Sequence, residues 1–262
     1  LSEFASKISH HWPRSLNDTI DTPDPLSLYS TLLTAAEPQS LTIISIGFLT
    51  NLAALLSSPS GLDLVTSKVA KLVVMGGRYQ PGRKEGDPSE PGWEFNFGGQ
   101  DSNATATILR SWPRSVPITF FGGELGETIF SGQDLRITTP FESPVRAAYE
   151  WYVGRCSTTR ESWDPLTVLY GVLGLDGFTK LGVRSPFKYG NHWGYNSIVA
   201  ANGSNAWVDD PRVTNQHWLE LADGVANSSV SWLLNRFYEH DPISKSCPGQ
   251  VATAVSLAKQ EL

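Results

Sequence analysis

The sequence predicts an α/β protein in which a mostly parallel sheet is flanked by helices. Apolar runs at residues 41–47, 67–75 and 116–123 have the composition of strands that are buried on both faces, and glycine ends or follows each run. Helical patterns lie between the runs. Because strands joined through helices at this spacing make right-handed crossovers, we expect the three strands to be parallel.

The N-terminal part is predicted to contribute helices but no strand before residue 41. Residues 1–25 are polar and interrupted by prolines, so we expect an irregular segment. Residues 26–36 carry a leucine stripe at helical spacing, and residues 49–56 open another helix. The irregular segment holds three spaced acids, Asp18, Asp21 and Asp24. Prolines and threonines separate them, so a solvated loop is favoured over a metal site.

The second half of the chain continues the α/β pattern. Further helices are predicted at residues 101–109, 140–154 and 217–237. Asp164 has the position of an N-cap before an apolar helix, with Pro165 in its first turn. A β-like stretch at residues 187–208 contains Asn-Gly at 202 and 203, which predicts a hairpin. No linker or repeat interrupts the pattern, so we predict one domain over residues 1–262.

Composition and charge argue against two classes of function. The chain is 40% hydrophobic and 18% charged, with a formal net charge of −6, which is ordinary for a globular protein. Without a cluster of Lys and Arg, this balance argues against a nucleic-acid-binding surface. No apolar run has the length of a membrane-spanning helix, so we expect no membrane partner.

Cysteines and glycosylation motifs bear on the compartment. Cys156 and Cys247 are either two buried thiols or one disulfide that involves the C-terminal tail. Four Asn-x-Ser/Thr motifs begin at Asn17, Asn103, Asn202 and Asn227. Together these features favour a secreted glycoprotein.

Several polar groups follow the predicted strands, where ligands bind in open α/β sheets. These groups are Thr50, Met75, Glu94, Asn96, Glu124 and Asp164. Taken singly, each has a simple structural explanation, such as capping the helix that follows. Taken together, they offer the mixture of acceptors and amide donors that a ligand with several hydroxyl groups requires.

Four segments resemble those of the inosine–uridine nucleoside hydrolase family in order and spacing. They are IGFLTNL at residues 46–52, VVMGG at 73–77, EFNF at 94–97 and WDPL at 163–166, and the resemblance extends from about residue 10 onward. It implies a Rossmann-like sheet with a calcium ion at the strand ends. The implied reaction is hydrolysis of N-ribosides, in which the metal binds the ribose diol and activates the water that attacks the anomeric carbon.

The resemblance also implies roles for individual residues. The Thr50 backbone carbonyl and the Asp164 carboxylate correspond to calcium ligands, which suits a hard cation. Glu94 and Asn96 correspond to groups that hydrogen-bond the ribose hydroxyls, and Met75 corresponds to a residue that lines the sugar site.

Trp163 occupies the position that in some members is a histidine resembling a general acid. Purine-preferring members carry tryptophan there and stack it on the base, so the resemblance implies a catalytic role for Trp163. The alternative is a packed core indole in a chain with nine tryptophans.

One part of the family pattern is not found in these 262 residues. The N-terminal Asp-x-Asp-x-x-x-Asp-Asp segment, which supplies the general base and most calcium carboxylates, has no counterpart. We expect its strand to be missing from the sheet, having been removed, lying on another chain or never having been present. An uncovered strand edge then requires a partner chain, another segment or a homo-oligomer.

Three hypotheses follow from the sequence. In the first, the chain is the larger part of a nucleoside hydrolase that needs the missing segment for activity. In the second, it is a non-catalytic, lectin-like protein that binds a sugar through Glu94, Asn96 and the nearby Trp93 and Trp163. In the third, the fold serves only as a scaffold for protein contacts.

Overall fold

The structure, a computed structural model, describes residues 3–13, 18, 20, 22–79, 92–154 and 157–240. The helices are α1 Glu3–His11, α2 Pro25–Ala35, α3 Thr50–Ser57, α4 Gly61–Lys68, α5 Phe95–Gly98, α6 Ser102–Ser111, α7 Gly123–Gly126, α8 Leu135–Thr138, α9 Pro144–Tyr152, α10 Trp163–Lys180 and α11 Asn227–Glu239. The strands are β1 Leu41–Ser45, β2 Val69–Met75, β3 Ile118–Phe121, β4 Phe130–Ser131, β5 Arg160–Glu161, β6 Phe187–Tyr189, β7 Tyr195–Val199, β8 Ser204–Val208 and β9 Gln216–Leu221.

A mostly parallel sheet flanked by helices forms the centre of the fold, which confirms the predicted fold class. Its strand order is β1-β2-β3-β9-β6. The first four strands pair in parallel, and β6 pairs with β9 antiparallel. Two short ribbons, β4-β5 and β7-β8, stand beside the sheet. The β7-β8 hairpin turns at the predicted Asn-Gly pair.

The side chains of β2 alternate between two cores. Leu72 and Val74 pack with residues of α3, α4 and α6, whereas Val73 packs with residues of α10 and α11 on the other face. All three side chains are at most 1% exposed. A strand buried on both faces is apolar along its length, which is why the sequence predicted β2 correctly.

Three predictions about elements are wrong. Residues 3–11 form helix α1 rather than an irregular segment, and Phe4 packs on Tyr152 of α9 with ring centroids 5.3 Å apart. Residues 216–221 are strand β9, so the last helix begins only at Asn227. Asp164 is not the N-cap of α10, because the helix begins at Trp163 and Ser162 precedes it.

Some expectations concern surface features or lie outside the described residues. Asn103, Asn202 and Asn227 are exposed, as glycosylation would require, and Asn17 lies outside the described residues. Cys156 and Cys247 lie outside them too, so the alternatives of two thiols and one disulfide both stay open. Within the described ranges, no helix is long and apolar enough to cross a membrane.

Candidate active site

A cavity of about 320 Å³ opens at the carboxyl end of β2, and we call it the crevice. Five residues predicted from the sequence line it, namely Met75, Glu94, Asn96, Trp163 and Asp164. They come from the end of β2, from the start of α5 and from the first turn of α10. Met75 stands at the carboxyl end of a parallel strand, where ligands bind in open α/β sheets, whereas Trp163 and Asp164 follow strand β5 of the antiparallel ribbon.

Glu94 is held by the backbone in the wall of the crevice. Its carboxylate accepts the N–H groups of Asn96 at 2.9 Å, Phe97 at 3.2 Å and Gly77 at 3.2 Å. The first two bonds cap α5, and the third joins the cap to the glycine pair after β2. Burial raises the pKa of the Glu94 carboxyl, while these bonds and the nearby Arg78 oppose the shift. Glu94 is therefore a fixed acceptor beside the ligand space.

The Asn96 side chain is directed back toward β2. Its amide nitrogen donates to the Met75 carbonyl at 3.1 Å and lies 3.0 Å from the Met75 sulfur. These contacts fix the orientation of the amide, because its nitrogen is the donor end and its oxygen the acceptor end. Asn96 and Met75 therefore form one unit of the crevice wall, next to Glu94.

Trp163 and Asp164 contribute another part of the wall. The indole N–H of Trp163 donates to the Gly123 carbonyl at 2.9 Å, so that proton is already used within the protein. A Cβ on Gly126 would lie 2.2 Å from the indole ring, which shows how closely α7 supports Trp163. Burial raises the pKa of the Asp164 carboxyl, and the positive charge of Arg160 opposes that shift.

Two arginines that the sequence patterns did not single out also line the crevice. Arg78 forms an ion pair with Glu127, with 2.5 Å between Nη2 and Oε1, and donates from Nε to the Trp93 carbonyl at 3.0 Å. Arg160 lies on the short β4-β5 ribbon that leads into α10. The position of Arg78 directly after the glycine pair was a usable signal, whereas nothing in the local pattern marks Arg160.

Two of the polar groups singled out in the sequence lie away from the crevice lining. Thr50 is the first residue of α3 and is not among the described residues that line the cavity. Glu124 is 5% exposed and accepts the Tyr79 N–H at 2.9 Å, so it supports the segment after the glycine pair. The implied calcium roles of Thr50 and Asp164, and the ribose contacts of Glu94 and Asn96, stay predictions.

The described residues do not make a calcium site by themselves. Among them, no three or more His, Cys, Asp or Glu side chains cluster in a way that could hold a metal ion. Calcium takes about six to eight oxygen ligands, and the carboxylate of Asp164 supplies only a minority of them. The donor set found here therefore does not fit the ion without further carboxylates.

Comparison with known proteins identifies the family of the chain. The family described as inosine-uridine preferring nucleoside hydrolase matches residues 10–203. The chain belongs to this nucleoside hydrolase family. The matched range includes every residue that was predicted for the site. No curated protein sequence matches the chain closely enough to count as a relative.

Solved structures of nucleoside hydrolases share the fold. A plant nucleoside hydrolase, PpNRh1, superposes with a TM-score of 0.61 at 20% identity, covering 92% of this chain and 76% of the plant protein. The inosine-uridine preferring nucleoside hydrolase of Bacillus anthracis superposes with a TM-score of 0.50 at 18% identity, covering 92% of this chain and 67% of the bacterial one. Family and fold support nucleoside hydrolysis as the general class of activity.

The buried charge of Asp164 leads to a testable prediction about stability. Because its pKa is raised in the folded state, ionised Asp164 disfavours folding at pH values above that pKa. We expect Asp164→Asn to raise the free energy of unfolding at neutral pH. The gain should shrink as pH falls through the pKa that Asp164 has in the folded state. It should be absent below the pKa of the unfolded state, where the carboxyl is protonated in both states. Urea unfolding of both proteins at acidic and at neutral pH measures this difference in the free energy of unfolding.

Asp223 provides the matched control for Asp164. Lys188 lowers the pKa of this exposed carboxyl. Ionised Asp223 therefore stabilises the folded state, whereas ionised Asp164 destabilises it. Asp223→Asn should slightly lower stability at neutral pH, and this loss should vanish as pH falls through the folded pKa. If Asp164→Asn lowers stability at neutral pH as Asp223→Asn does, the carboxylate at position 164 is not a destabilising charge.

Proposed function

We propose that the chain forms the sugar- and base-binding part of an N-ribosyl hydrolase, which converts a ribonucleoside and water into ribose and the free base. The observation that carries this proposal is the meeting of Met75, Glu94, Asn96, Trp163 and Asp164 in one crevice of a nucleoside hydrolase fold. Groups with perturbed pKa values cluster at functional sites, and the raised values of Glu94 and Asp164 fit that pattern.

The crevice supplies binding and orientation. Glu94 is a fixed acceptor for sugar hydroxyl groups, and the oriented amide of Asn96 is its neighbour in the wall. Trp163 offers an aromatic face for the base, while its N–H is engaged by Gly123. Departure of the base therefore depends on groups other than the indole proton.

We propose that the carboxylates for water activation and for a calcium ion come from a polypeptide segment outside these 262 residues. The surface next to the crevice supports this part of the proposal. Among the described residues, strand β1 is one edge of the sheet, yet its Ile43 and Ile44 are only half-buried and Ile46, directly after it, is 45% exposed. An apolar edge strand of this kind is normally paired or covered.

The rim of the crevice near this edge is aromatic and exposed. Trp93 and Phe95 are 48% and 59% exposed, and Phe48 packs on Phe95 with 5.4 Å between ring centroids. A segment that pairs with β1 would cover part of this rim and carry its own side chains to the carboxyl end of the sheet. Added carboxylates there would join Asp164 in a set of oxygen ligands that calcium requires.

The test uses the natural protein isolated without denaturation. Intact-mass measurement shows whether a further polypeptide is present, and chromatography measures release of hypoxanthine from inosine and of uracil from uridine. We expect an assembly that carries clustered aspartates, binds calcium in calorimetry and releases base, with activity lost on chelation. The 262-residue chain alone should release none.

Two results would contradict the proposal. An assembly that holds the added carboxylates and binds calcium but cleaves no ribonucleoside excludes hydrolysis. A natural protein consisting of this chain alone, with no response to calcium, excludes it as well. In the hydrolysis assay Asp164→Asn should lower base release, because it removes a proposed calcium ligand. Asp134→Asn, at an exposed position outside the crevice, is the control and should leave base release unchanged.

A second candidate function is sugar binding without catalysis. It is favoured because the described residues hold no metal-binding cluster, whereas Glu94 and Asn96 are held in place by hydrogen bonds that need no metal. The crevice would then bind a sugar through Glu94 and Asn96 and stack it on Trp93 or Trp163. Screening free sugars and glycans against the chain distinguishes this candidate, because binding would occur without calcium and without cleavage.

A further inference from the structure

A cavity separate from the crevice is lined by the loop after β6, the end of β8 and the middle of β9, and we call it the aromatic cavity. Its volume is about 370 Å³, which is within the usual range of about 300–1,000 Å³ for small-molecule sites. No described residue lines both this cavity and the crevice. Its ring-bearing residues are Tyr79, His192, Trp193, Trp207 and Trp218.

Three rings of the aromatic cavity form a corner. The rings of Tyr79 and Trp218 are nearly parallel, with 10° between their planes and 6.2 Å between their centroids. The ring of Trp207 makes an angle of 76° with that of Tyr79, at a centroid distance of 6.0 Å. Tyr79 and Trp218 are buried and form the inner wall, whereas Trp193 is 45% exposed and stands at the mouth. A ligand in this cavity therefore meets aromatic surface from more than one direction.

Backbone contacts hold the tryptophans in place. The indole N–H of Trp207 donates to the Trp193 carbonyl at 3.3 Å. A Cβ on Gly190 would lie 2.1 Å from the Trp218 ring, so the chain after β6 packs directly against this indole. Gly194 has a φ of 119°, and a Cβ there would lie 2.5 Å from the Trp207 nitrogen. The protein itself therefore fixes the walls of the cavity.

Most polar groups of the lining are already engaged within the protein. The Asn191 side chain makes three hydrogen bonds to backbone groups, two as donor and one as acceptor. The Tyr79 hydroxyl donates to the Gly76 carbonyl at 2.9 Å and accepts from the Asn196 amide at 2.6 Å. A ligand with many hydroxyl groups would find few partners here, which argues against a sugar.

Asp209 supplies a charge that is still available. It is exposed, and within the described ranges its carboxylate has no hydrogen bond and no ion pair. No Lys or Arg is among the described residues that line the cavity. Because the faces of aromatic rings are the negative part of their charge distribution, the rings attract a cation as the carboxylate does. Both features favour a positively charged ligand.

We propose that the aromatic cavity binds a quaternary ammonium compound of the choline type. Methyl groups surround the charge of such a cation, so it needs no hydrogen-bond acceptor and suits a lining whose polar groups are engaged. Aromatic rings that meet at an angle are the usual means of recognising this group. The inference does not depend on the chemistry of the crevice, because the two cavities have separate linings.

The test titrates choline into the intact protein and follows the ligand by NMR. A pH of about 8 keeps the imidazole of His192 mostly neutral if its pKa is ordinary. We expect the N-methyl resonance of choline to shift upfield, because protons above the face of an aromatic ring are shielded. The neutral analogue, in which carbon replaces the choline nitrogen, has the same shape and should bind about tenfold more weakly.

Variants at exposed positions identify the site. Trp193→Leu should weaken choline binding about fivefold, and Trp193→Phe should weaken it less, because indole attracts a cation more strongly than phenyl does. Asp209→Asn should weaken it about threefold, as expected for an exposed charge pair. Asp134→Asn removes the same charge from an exposed position that lines neither cavity, so it should leave binding unchanged. Urea unfolding shows that each variant is folded.

Four results would overturn the inference. They are equal binding of choline and its neutral analogue, unchanged choline binding in Trp193→Leu, no binding of choline, and binding of neutral sugars in its place. Trimethyllysine amide carries the same head group in the form that a polypeptide presents. Tighter binding of this compound than of choline would keep the ammonium site and identify a polypeptide as the source of the group.

Discussion

Replacing Glu94 by alanine is expected to lower the free energy of unfolding by about 3 kcal/mol, since each buried donor left without an acceptor costs roughly 1–3 kcal/mol. The side chain is only 7% exposed and accepts the backbone N–H groups of Gly77, Asn96 and Phe97. Removing the buried charge offsets part of the loss, because burial raises the pKa of this carboxyl. Urea unfolding at neutral pH measures the change.

Asp101 supplies the control for Glu94. It caps α6 by accepting one N–H, that of Ala104, at 3.0 Å. Asp101→Ala should therefore cost about 1 kcal/mol, the usual value for one N-cap. The loss of stability caused by Glu94→Gln should lie between the losses for Glu94→Ala and Asp101→Ala. The glutamine amide keeps one oxygen acceptor but turns its NH₂ group toward a backbone donor. A loss below about 0.5 kcal/mol for Glu94→Ala would show that these N–H groups find other acceptors.

The sequence predicted the central strands and the meeting of the site residues for two physical reasons. A strand buried on both faces must be apolar along its length, and the carboxyl ends of parallel strands lie at the same edge of the sheet. The position of Met75 at the end of β2 follows from these two rules, whereas Asp164 reaches the crevice on helix α10, which follows the antiparallel strand β5. Met75, Glu94 and Asp164 all line the crevice.

The errors arise where tertiary contacts decide local structure. The apolar residues of β9 have a helical spacing, but pairing with β3 makes this segment extended, and Gly224, with a φ of 77°, lies between the strand and α11. Helix α1 is stabilised by its neighbours, through the contact of Phe4 with Tyr152 and a hydrogen bond from the Trp12 indole to the Glu142 carbonyl. No short window of sequence contains both partners of such contacts.

The same limit explains why local sequence patterns do not reveal Arg160 and Asn205. Arg160 reaches the crevice from a two-residue strand, which is too short to produce a periodic pattern. Asn205 belongs to the β7-β8 hairpin, yet it binds Arg78 and Gly92 near the crevice. Contacts between such distant segments are specified by packing, so only the structure shows them.

Replacing Asn205 by alanine is expected to cost about 3 kcal/mol as well, because several buried polar groups lose their partner. The residue is 1% exposed, and its side chain accepts the Arg78 N–H at 2.9 Å. Its amide nitrogen donates to the Arg78 carbonyl at 3.0 Å and to the Asn196 side chain at 2.9 Å. The backbone of Asn205 also exchanges two hydrogen bonds of 2.8 Å with Gly92.

Asn205 holds Arg78, which lines the crevice, and Gly92, which precedes the crevice residue Trp93. Asn205→Ala should therefore weaken ligand binding in the crevice as well as lower the free energy of unfolding. Asn205→Asp tests the donor role separately. Its ionised carboxylate would face the Arg78 carbonyl and the Asn196 oxygen, so the variant should be the less stable of the two at neutral pH. Its pKa should be raised in the folded state, and its stability should therefore recover as pH falls and the protonated acid can donate.

Asn202→Ala is the matched control on the same hairpin. Asn202 is exposed, and its side chain accepts one local N–H, that of Ser204, at 3.0 Å. Its loss should cost at most about 1 kcal/mol, the net value of one hydrogen bond, and should not vary with pH. If Asn205→Ala is no more destabilising than Asn202→Ala, the hairpin is held against the crevice by its aromatic contacts, such as Tyr79 with Trp207, rather than by this amide.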